Sequence, residues 1–441
     1  MTTRITRRTA LKSAAAAAIA APLIVRSSVL GADAPSNTLR LASIGTGRMG
    51  HGDMQQALHQ GLSPKLNARI VAVCDLDSIR AEHAKEVCEK AYASKLGEGK
   101  FEPIKTYGDY RELLARKDID GVTISTSEHW HALIAIAAAK AGKDSYVQKP
   151  LTYSINEGKA LVKAVRDNKR ILQTGSQQRS EVYFRMACEL VRNGRLGKLQ
   201  EIEVVLPTDS GTGKKDPMPV PKNLNYEMWL GPTSDAPYTE HRVHPQKGYS
   251  RPGWLQIEQY CLGMITGWGA HMYDICQWGH GDGACELAEM QAKAEFPDRG
   301  LFNVHTKFEA EGCYADGVRI KAHSGAAGVR FTGEKGWIWV QRGAIKAENP
   351  AVLKEKIKDD EIKLYVSTNH MANFLECMRT RKDPAAPVEA GHRANTLCCI
   401  THIAMKLGRK LKWDPAKEQF IGDDEANKRL DYEHRDPWKI A

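Results

Sequence analysis

The 441 residues carry 63 Lys+Arg against 53 Asp+Glu, a formal net charge of +10, and are 42% hydrophobic and 26% charged, enough apolar content for a buried core and too much for a disordered chain. No apolar stretch approaches the ~20 residues of a bilayer span, which excludes a polytopic membrane protein. The basic residues are scattered, the densest groups being Lys214-Lys215 and Arg379, Arg381 and Lys382, which excludes nucleic acid as a partner, and the ten cysteines form no C-x-x-C pair or Cys/His set at zinc spacing, so neither a disulfide scaffold nor a bound metal is expected.

The chain opens with Thr6-Arg7-Arg8-Thr9-Ala10-Leu11-Lys12, an Ala-rich apolar run over residues 14–25, and the small residues Gly31, Ala32 and Ala34. That order matches a twin-arginine export signal over residues 1–34; an ordinary basic N-terminus is the alternative. The apolar run is too short for a stable membrane span, so cleavage near residues 31–34 is expected. The mature chain would then be periplasmic or otherwise extracytoplasmic, without a transmembrane span. Residues 1–34 hold Arg4, Arg7, Arg8, Lys12 and Arg26 against Asp33, so about +6 of the +10 remains after cleavage. Export in the folded state favours a tightly held cofactor.

Residues 39–44 have strand character and run into Gly45-Thr46-Gly47-Arg48-Met49-Gly50, followed by a helix-permissive stretch at 53–59. This is the context of the dinucleotide-binding glycine fingerprint. Gly45 permits the tight turn, Gly47 lets the backbone approach a pyrophosphate, and Gly50 allows the helix to pack on the strand with its first amides aimed at the anion. Thr46, Arg48 and Met49 complete the cofactor turn. A second strand at 69–74 ends in Asp75, an acid placed to accept bonds from both ribose hydroxyls and to repel a 2'-phosphate, so NAD is favoured over NADP. Arg80 would either tolerate that phosphate or stack on the adenine; a plain helix N-cap is the alternative reading of Asp75.

Strands at 121–125, 145–148 and 171–174 alternate with helices at 79–96, 110–116, 131–141 and 155–167, the last opened by a Ser154/Glu157 capping box. Such alternation gives an α/β Rossmann domain, residues 37–178, with a doubly wound parallel sheet and its ligand beyond the carboxyl ends of the strands. Ser125, Thr126, His129 and His131 follow one strand and Gln148 and Lys149 another, which places them with the cofactor; Trp130 packing between helix-capping histidines is the alternative for that segment. After residue 178 the alternation stops. Strands at 200–206, 287–295, 302–310, 313–323, 327–333 and 336–341, with helices at 371–379 and 394–407, predict a C-terminal α+β domain, residues 179–441, with an open, mostly antiparallel sheet. Residues 207–225, with Pro217, Pro219 and Pro221, read as a lid, an oligomer arm or a loop. Cys398 and Cys399 read as small buried hydrophobes.

The glycine turn, Ser127-Glu128-His129-Trp130-His131-Ala132, Gln148-Lys149-Pro150, Thr174-Gly175-Ser176-Gln177-Gln178-Arg179 and Trp268-Gly269-Ala270-His271-Met272-Tyr273-Asp274 followed by Trp278 together resemble the glucose-fructose oxidoreductase / inositol dehydrogenase (Gfo/Idh/MocA) family over roughly residues 37–440. The resemblance implies that Lys149 and His271 face each other across the nicotinamide with a sugar-like substrate between them. Alcohol oxidation asks for such a pair: a base, His271, for the hydroxyl proton, and a donor, Lys149, for the oxygen as it gains charge. A surface lysine before a turn proline and a satisfied core histidine are the alternatives. Gln177, Arg179, Trp268 and Asp274 are the further substrate candidates; the first three equally suit a domain interface, and Asp274 is otherwise only a helical neighbour of His271. Two positions depart from the family pattern: Gln148 stands where many members place an acid before the lysine, and Gly267 where inositol dehydrogenase-like members place an acid four residues before the histidine.

The function these features imply is an exported NAD-dependent oxidoreductase acting on a carbinol carbon of a sugar, cyclitol or sugar derivative, a homo-oligomer through its antiparallel sheet. Redox-neutral glycoside cleavage through a transient keto-sugar on tightly bound NAD, and a non-catalytic NAD-binding sensor, are the alternatives.

Overall fold

The computed structural model describes residues 37–209, 211–281 and 287–440; the expected export signal at 1–34 lies outside them. A six-stranded sheet comes first, built from β1 (Leu39–Ile44), β2 (Ala68–Cys74), β3 (Lys105–Tyr107), β4 (Gly121–Ile124), β5 (Asp144–Val147) and β6 (Leu172–Thr174), in the order β3-β2-β1-β4-β5-β6. Every pairing is parallel. Five helices connect the strands: α1 (Arg48–Gly61), α2 (Ser78–Leu96), α3 (Tyr110–Ala115), α4 (Glu128–Lys140) and α5 (Ile155–Asp167). The central β4 and β5 are buried along their whole length, and α4, nearly all apolar after its first turn, is buried on every side, as a sheet covered on both faces requires. The capping box at α5 is present, with Ser154 Oγ accepting from Glu157 N at 3.2 Å and Glu157 Oε2 accepting from Ser154 N at 3.1 Å.

Two helices start earlier than their apolar periodicity suggests. Helix α1 begins at Arg48 rather than 53, directly out of the glycine turn, and α4 begins at Glu128 rather than 131, with Ser127 at its N-cap. Strand β3 escaped the sequence pattern because it is three residues long and sits exposed at the sheet edge.

After α6 (Val182–Arg192) comes β7 (Leu199–Leu206), then α7 (Tyr226–Leu230), α8 (Met264–Gly267) and α9 (Gly269–His280). Strands β8 (Leu287–Glu295), β9 (Lys307–Tyr314), β10 (Arg319–Ser324), β11 (Gly328–Gly333), β12 (Gly336–Gln341) and β13 (Ala344–Ala347) precede α10 (His370–Thr380), α11 (Val388–Leu407), β14 (Leu411–Asp414), β15 (Gln419–Phe420) and α12 (Asp424–Asn427). The second sheet runs β13-β12-β11-β7-β10-β9-β8-β14-β15, antiparallel except for β10 beside β7. The strands expected at 302–310 and 313–323 are displaced. The chain reverses after Tyr314, with Gly317 at φ +89°, so β9 ends and β10 begins inside the expected second strand. Alternate residues of these strands are buried beneath α6, α9 and α11, where Cys398 and Cys399 lie in the apolar core.

The two halves interlock. Helix α10 follows the expected boundary at 178 yet packs Phe374, Leu375 and Met378 against Leu41, Met54 and Ala57 of β1 and α1. The excursion from residue 207 continues as a strap to the β2–α2 turn: Ser78 N donates to Asn223 O and Asn225 N to Leu76 O, both at 2.9 Å. Among the described residues no helix is long and apolar enough to cross a membrane.

Candidate active site

A cavity of about 560 Å³ runs from the glycine turn, past the carboxyl ends of β4 and β5, to α8 and α9 of the second half. At its first end Gly45 adopts φ +79°, where a Cβ would stand 2.8 Å from Ser125 O. A Cβ on Gly50 would lie 1.9 Å from Gly45 O, whereas one on Gly47 would meet only the Arg80 guanidinium, at 2.9 Å. Bare backbone therefore faces the cavity at the start of α1, whose first-turn amides have no intrahelical acceptor. A dinucleotide pyrophosphate fits this cradle.

Asp75 lines the cavity beside the turn. Its Oδ2 accepts from Thr46 N at 2.7 Å and Thr46 Oγ1 at 3.0 Å, and its Oδ1 from Asp77 N at 2.9 Å. Thr46 is thus buried beneath the turn, orienting Asp75 instead of touching a ligand. The N-cap alternative for Asp75 is displaced by Asp77, which accepts from Ile79 N and Arg80 N. Arg48, Met49 and Arg80 line the same end; Arg80 donates to Pro245 O and Gly248 O of the strap at 3.1 and 3.3 Å and lies 5.2 Å from the Tyr249 ring.

Ser125, Thr126, His131, Gln148 and Lys149 line the middle. Ring nitrogen Nδ1 of His131 is 2.7 Å from Pro150 O, bracing the turn that carries Lys149. His129 is a correction. It points away from the cavity, with Nε2 3.0 Å from Trp229 O and its ring between those of Trp229 and Tyr260, because the helical turn starting at Glu128 aims it into the apolar layer under the strap. Burial pushes both histidines down to about 4.

Lys149 and His271 both line this cavity, Lys149 from the end of β5 and His271 from α9. Lys149 Nζ donates to Gly267 O at 2.6 Å, one helical turn before His271, so the carbonyl at the departure position receives the ammonium. Burial lowers the Lys149 pKa. Burial, then the nearby Lys149 and Arg342 cations, hold His271 well below the ordinary imidazole value, as a neutral base. Its Nδ1 is buried without a hydrogen-bond partner among the described residues, which leaves Nε2 as the atom available to the cavity. Gln148 does not replace the missing acid directly: its Oε1 accepts from Lys149 N at 2.9 Å, and its Nε2 donates at 3.0 Å to Asp53, a buried carboxylate also held by Ser125 Oγ at 2.7 Å.

Gln177 and Trp268 line the far end of the cavity; Gln177 Nε2 donates to Tyr146 OH at 3.0 Å, and the Arg342 guanidinium lies 4.6 Å from the Trp268 ring. Arg179 and Asp274 are corrections. They form a buried bidentate pair with N–O distances of 2.8–3.0 Å, Arg179 also lies 5.1 Å from the Trp278 ring, and neither residue lines the cavity. A desolvated guanidinium needs a carboxylate, and α9 supplies one on the face turned from the site. Sequence reasoning missed Glu128, Asp53 and Arg342. Glu128 stood inside the segment singled out after β4, but as a polar residue at a helix start it reads as solvated surface.

Residues 39–176 match the Gfo/Idh/MocA "Oxidoreductase family, NAD-binding Rossmann fold", and residues 208–440 match the "Oxidoreductase family, C-terminal alpha/beta domain" of the same group. The chain belongs to the Gfo/Idh/MocA oxidoreductase family. Its N-terminal sheet is an NAD-binding Rossmann fold, and NAD is the cofactor of this Gfo/Idh/MocA protein. A glycosyl hydrolase family 109 protein of Shewanella putrefaciens is 31% identical over 180 residues, 39% of this chain and 36% of that protein. Inositol 2-dehydrogenase of Salmonella paratyphi B is 29% identical over 162 residues, 36% of this chain and 44% of that protein. The matches thus span less than half the length of these curated relatives. The WlbA dehydrogenase of Bordetella pertussis, solved with NADH and UDP-GlcNAcA, shares the fold with a TM-score of 0.61 at 17% identity, over 86% of this chain and 99% of that one.

Proposed function

We propose that the protein is an exported NAD-dependent oxidoreductase acting on a carbinol carbon of a sugar, cyclitol or sugar derivative. The observation that carries this reading is the meeting of Lys149, from the end of β5, and His271, from α9, in the cavity that starts at the glycine turn. NAD, when bound, supplies the two-electron acceptor for the carbinol hydrogen. His271, neutral through burial, takes the hydroxyl proton at Nε2. Lys149 Nζ donates to the same oxygen as it gains charge, stabilisation that a water-poor cavity strengthens. Asp75, oriented by Thr46, accepts from the ribose hydroxyls and disfavours a 2'-phosphate. Trp268 offers a ring face, and Gln177 and Arg342 offer donors, to a polyhydroxylated ligand.

The family 109 similarity favours a second reading, in which the oxidised sugar eliminates a glycosidic substituent and is reduced again. The experiment is purification, extraction and identification of bound nucleotide, and a sugar screen read by mass spectrometry. Net ketone formation supports oxidation, and glycoside release without NADH accumulation supports the second reading. Lys149→Met and His271→Asn should each lower turnover by about 10²–10⁴ while retaining nucleotide; full turnover in both variants would remove the pair from the chemistry.

A further inference from the structure

Glu128 opens α4 at the cavity wall, is 2% exposed, and has no cation among its hydrogen-bond partners. It accepts from Cys261 Sγ and Thr266 Oγ1, each at 3.0 Å. A carboxylate carried into a protein interior needs a charge to answer it. The cation that faces it is Lys149, half-buried, whose Nζ donates to the carbonyl of Gly267, the residue next to Thr266.

We propose that Glu128 is the counter-charge of Lys149, a positioning residue that takes the place of the acids absent at Gln148 and Gly267 and sets the charge Lys149 carries in the empty and ligand-filled cavity. The inference rests on the role given to Lys149 above. Three observations converge on it. Gln148 spends its side chain on Asp53 and on the Lys149 backbone, so no carboxylate adjoins the lysine from its own strand. Glu128 holds Thr266 and Lys149 Nζ holds the carbonyl of Gly267, so the two groups bind consecutive residues of α8 from the wall of one cavity, whereas Asp53 is engaged by Gln148 and Ser125. Burial pushes Glu128 itself up to about 7, in the range where it changes charge under working conditions.

Lys149 is also faced by Cys261, Arg342 and His271, and it acts in turn on His131 and Cys398. Glu128 is faced by Tyr153, Cys261, Cys398 and Cys399. All but Arg342 are neutral when buried, so Glu128 is the acid on this side of the cavity that answers the lysine.

The test reads Lys149 directly, without turnover. The full chain is reductively methylated with formaldehyde and cyanoborohydride across pH 6–11, and modification of the Lys149 peptide is followed by mass spectrometry. Because a carboxylate raises a neighbouring ammonium's pKa, Glu128→Gln should move the Lys149 midpoint down by about one pH unit, a tenfold gain in reactivity below the midpoint. Thr266→Val keeps the acid but removes a donor, so Glu128 holds its proton more tightly, and the midpoint should move the same way by a smaller step. A midpoint unmoved or raised in whichever variant folds overturns the proposal. Failure of the oxidoreductase reading would look different: no sugar turned over by the wild type, with the Lys149 shift still present.

Discussion

Two glycines of one turn should respond to the same added methyl group in opposite ways. On Gly50 the Cβ would stand 1.9 Å from Gly45 O, 1.1 Å inside the 3.0 Å that Cβ contacts essentially never pass, and both neighbours are backbone. Relief requires α1 to move off β1, an overpacking cost of about 1–3 kcal/mol, or roughly 1–4 °C in Tm for a chain of this size. On Gly47 the Cβ meets only the far end of the Arg80 side chain, at 2.9 Å, which can swing aside. Gly47→Ala should therefore keep the wild-type Tm of the nucleotide-free protein within about 1 °C. Its methyl group occupies the surface a pyrophosphate approaches, however, so NAD binding should weaken by about 30–100-fold, some 2–3 kcal/mol. Differential scanning fluorimetry without nucleotide and isothermal titration with NAD separate the two effects. A Gly47→Ala protein that binds NAD as the wild type does would refute the placement of the dinucleotide at this turn.

Arg342→Gln removes a cavity cation that faces both Lys149 and His271, so KM for the sugar should rise about tenfold and the pH profile of kcat should move upward as both groups hold their protons more tightly, with the NAD Kd unchanged, as steady-state kinetics across pH would show. Arg179→Met alone removes the bidentate guanidinium from the buried Asp274 carboxylate and should cost about 3–5 kcal/mol in chemical denaturation; Arg179→Met with Asp274→Leu should recover much of it, and the folded fraction should keep its sugar KM, which a substrate contact would not allow. Burial alone would raise the Glu258 carboxyl, but His402 at 3.1 Å and Lys406 at 2.9 Å hold it down to about 2. A folded pKa below the unfolded one gives stability that is complete above about 4.5 and lost as pH falls toward 2. Urea midpoints measured between pH 5 and 2 should therefore fall less steeply for Glu258→Gln than for the wild type.

The first half of the fold was legible because steric demands there act over a few consecutive residues. Gly45, Gly47 and Gly50 each answer a contact with the neighbouring backbone or the cavity, and the largely apolar runs of β1 and β4 report burial on both faces. The second half is held by pairings across long loops, where a turn placed a few residues away moves two strands, as Gly317 does for β9 and β10. Among the candidate site residues, Lys149 and His271 were singled out by motif and chemistry, and the fold brings both to one cavity. Arg179 and Asp274 were misread because a guanidinium on the segment after a Rossmann strand and an acid one turn beyond the candidate histidine look like substrate contacts. Only their geometry shows that each consumes the other. Glu128 was hidden for the converse reason, since nothing local tells a solvated helix-start acid from one sealed under Thr266 and Cys261 of a segment over 130 residues away.

The strap bears on which of the two proposed readings suits this cleft. Asp77 accepts from Asn223 at 2.8 Å and lies 3.0 Å from His244 Nε2, while Arg80 reaches two strap carbonyls, so the adenosine end of the cleft is bordered by both halves of the chain. Exchange of a bound nucleotide through that end would break several of these bonds at about 1 kcal/mol each, slowing release by about 10²–10³-fold relative to an open Rossmann crevice. A dehydrogenase that depends on fresh NAD at every turnover gains nothing from such retention. A cycle that oxidises its sugar, cleaves, and reduces the product on the same nucleotide does. Retention therefore weights the redox-neutral reading, and the strap, more than the Lys149–His271 pair that both readings share, is the element whose removal would distinguish them.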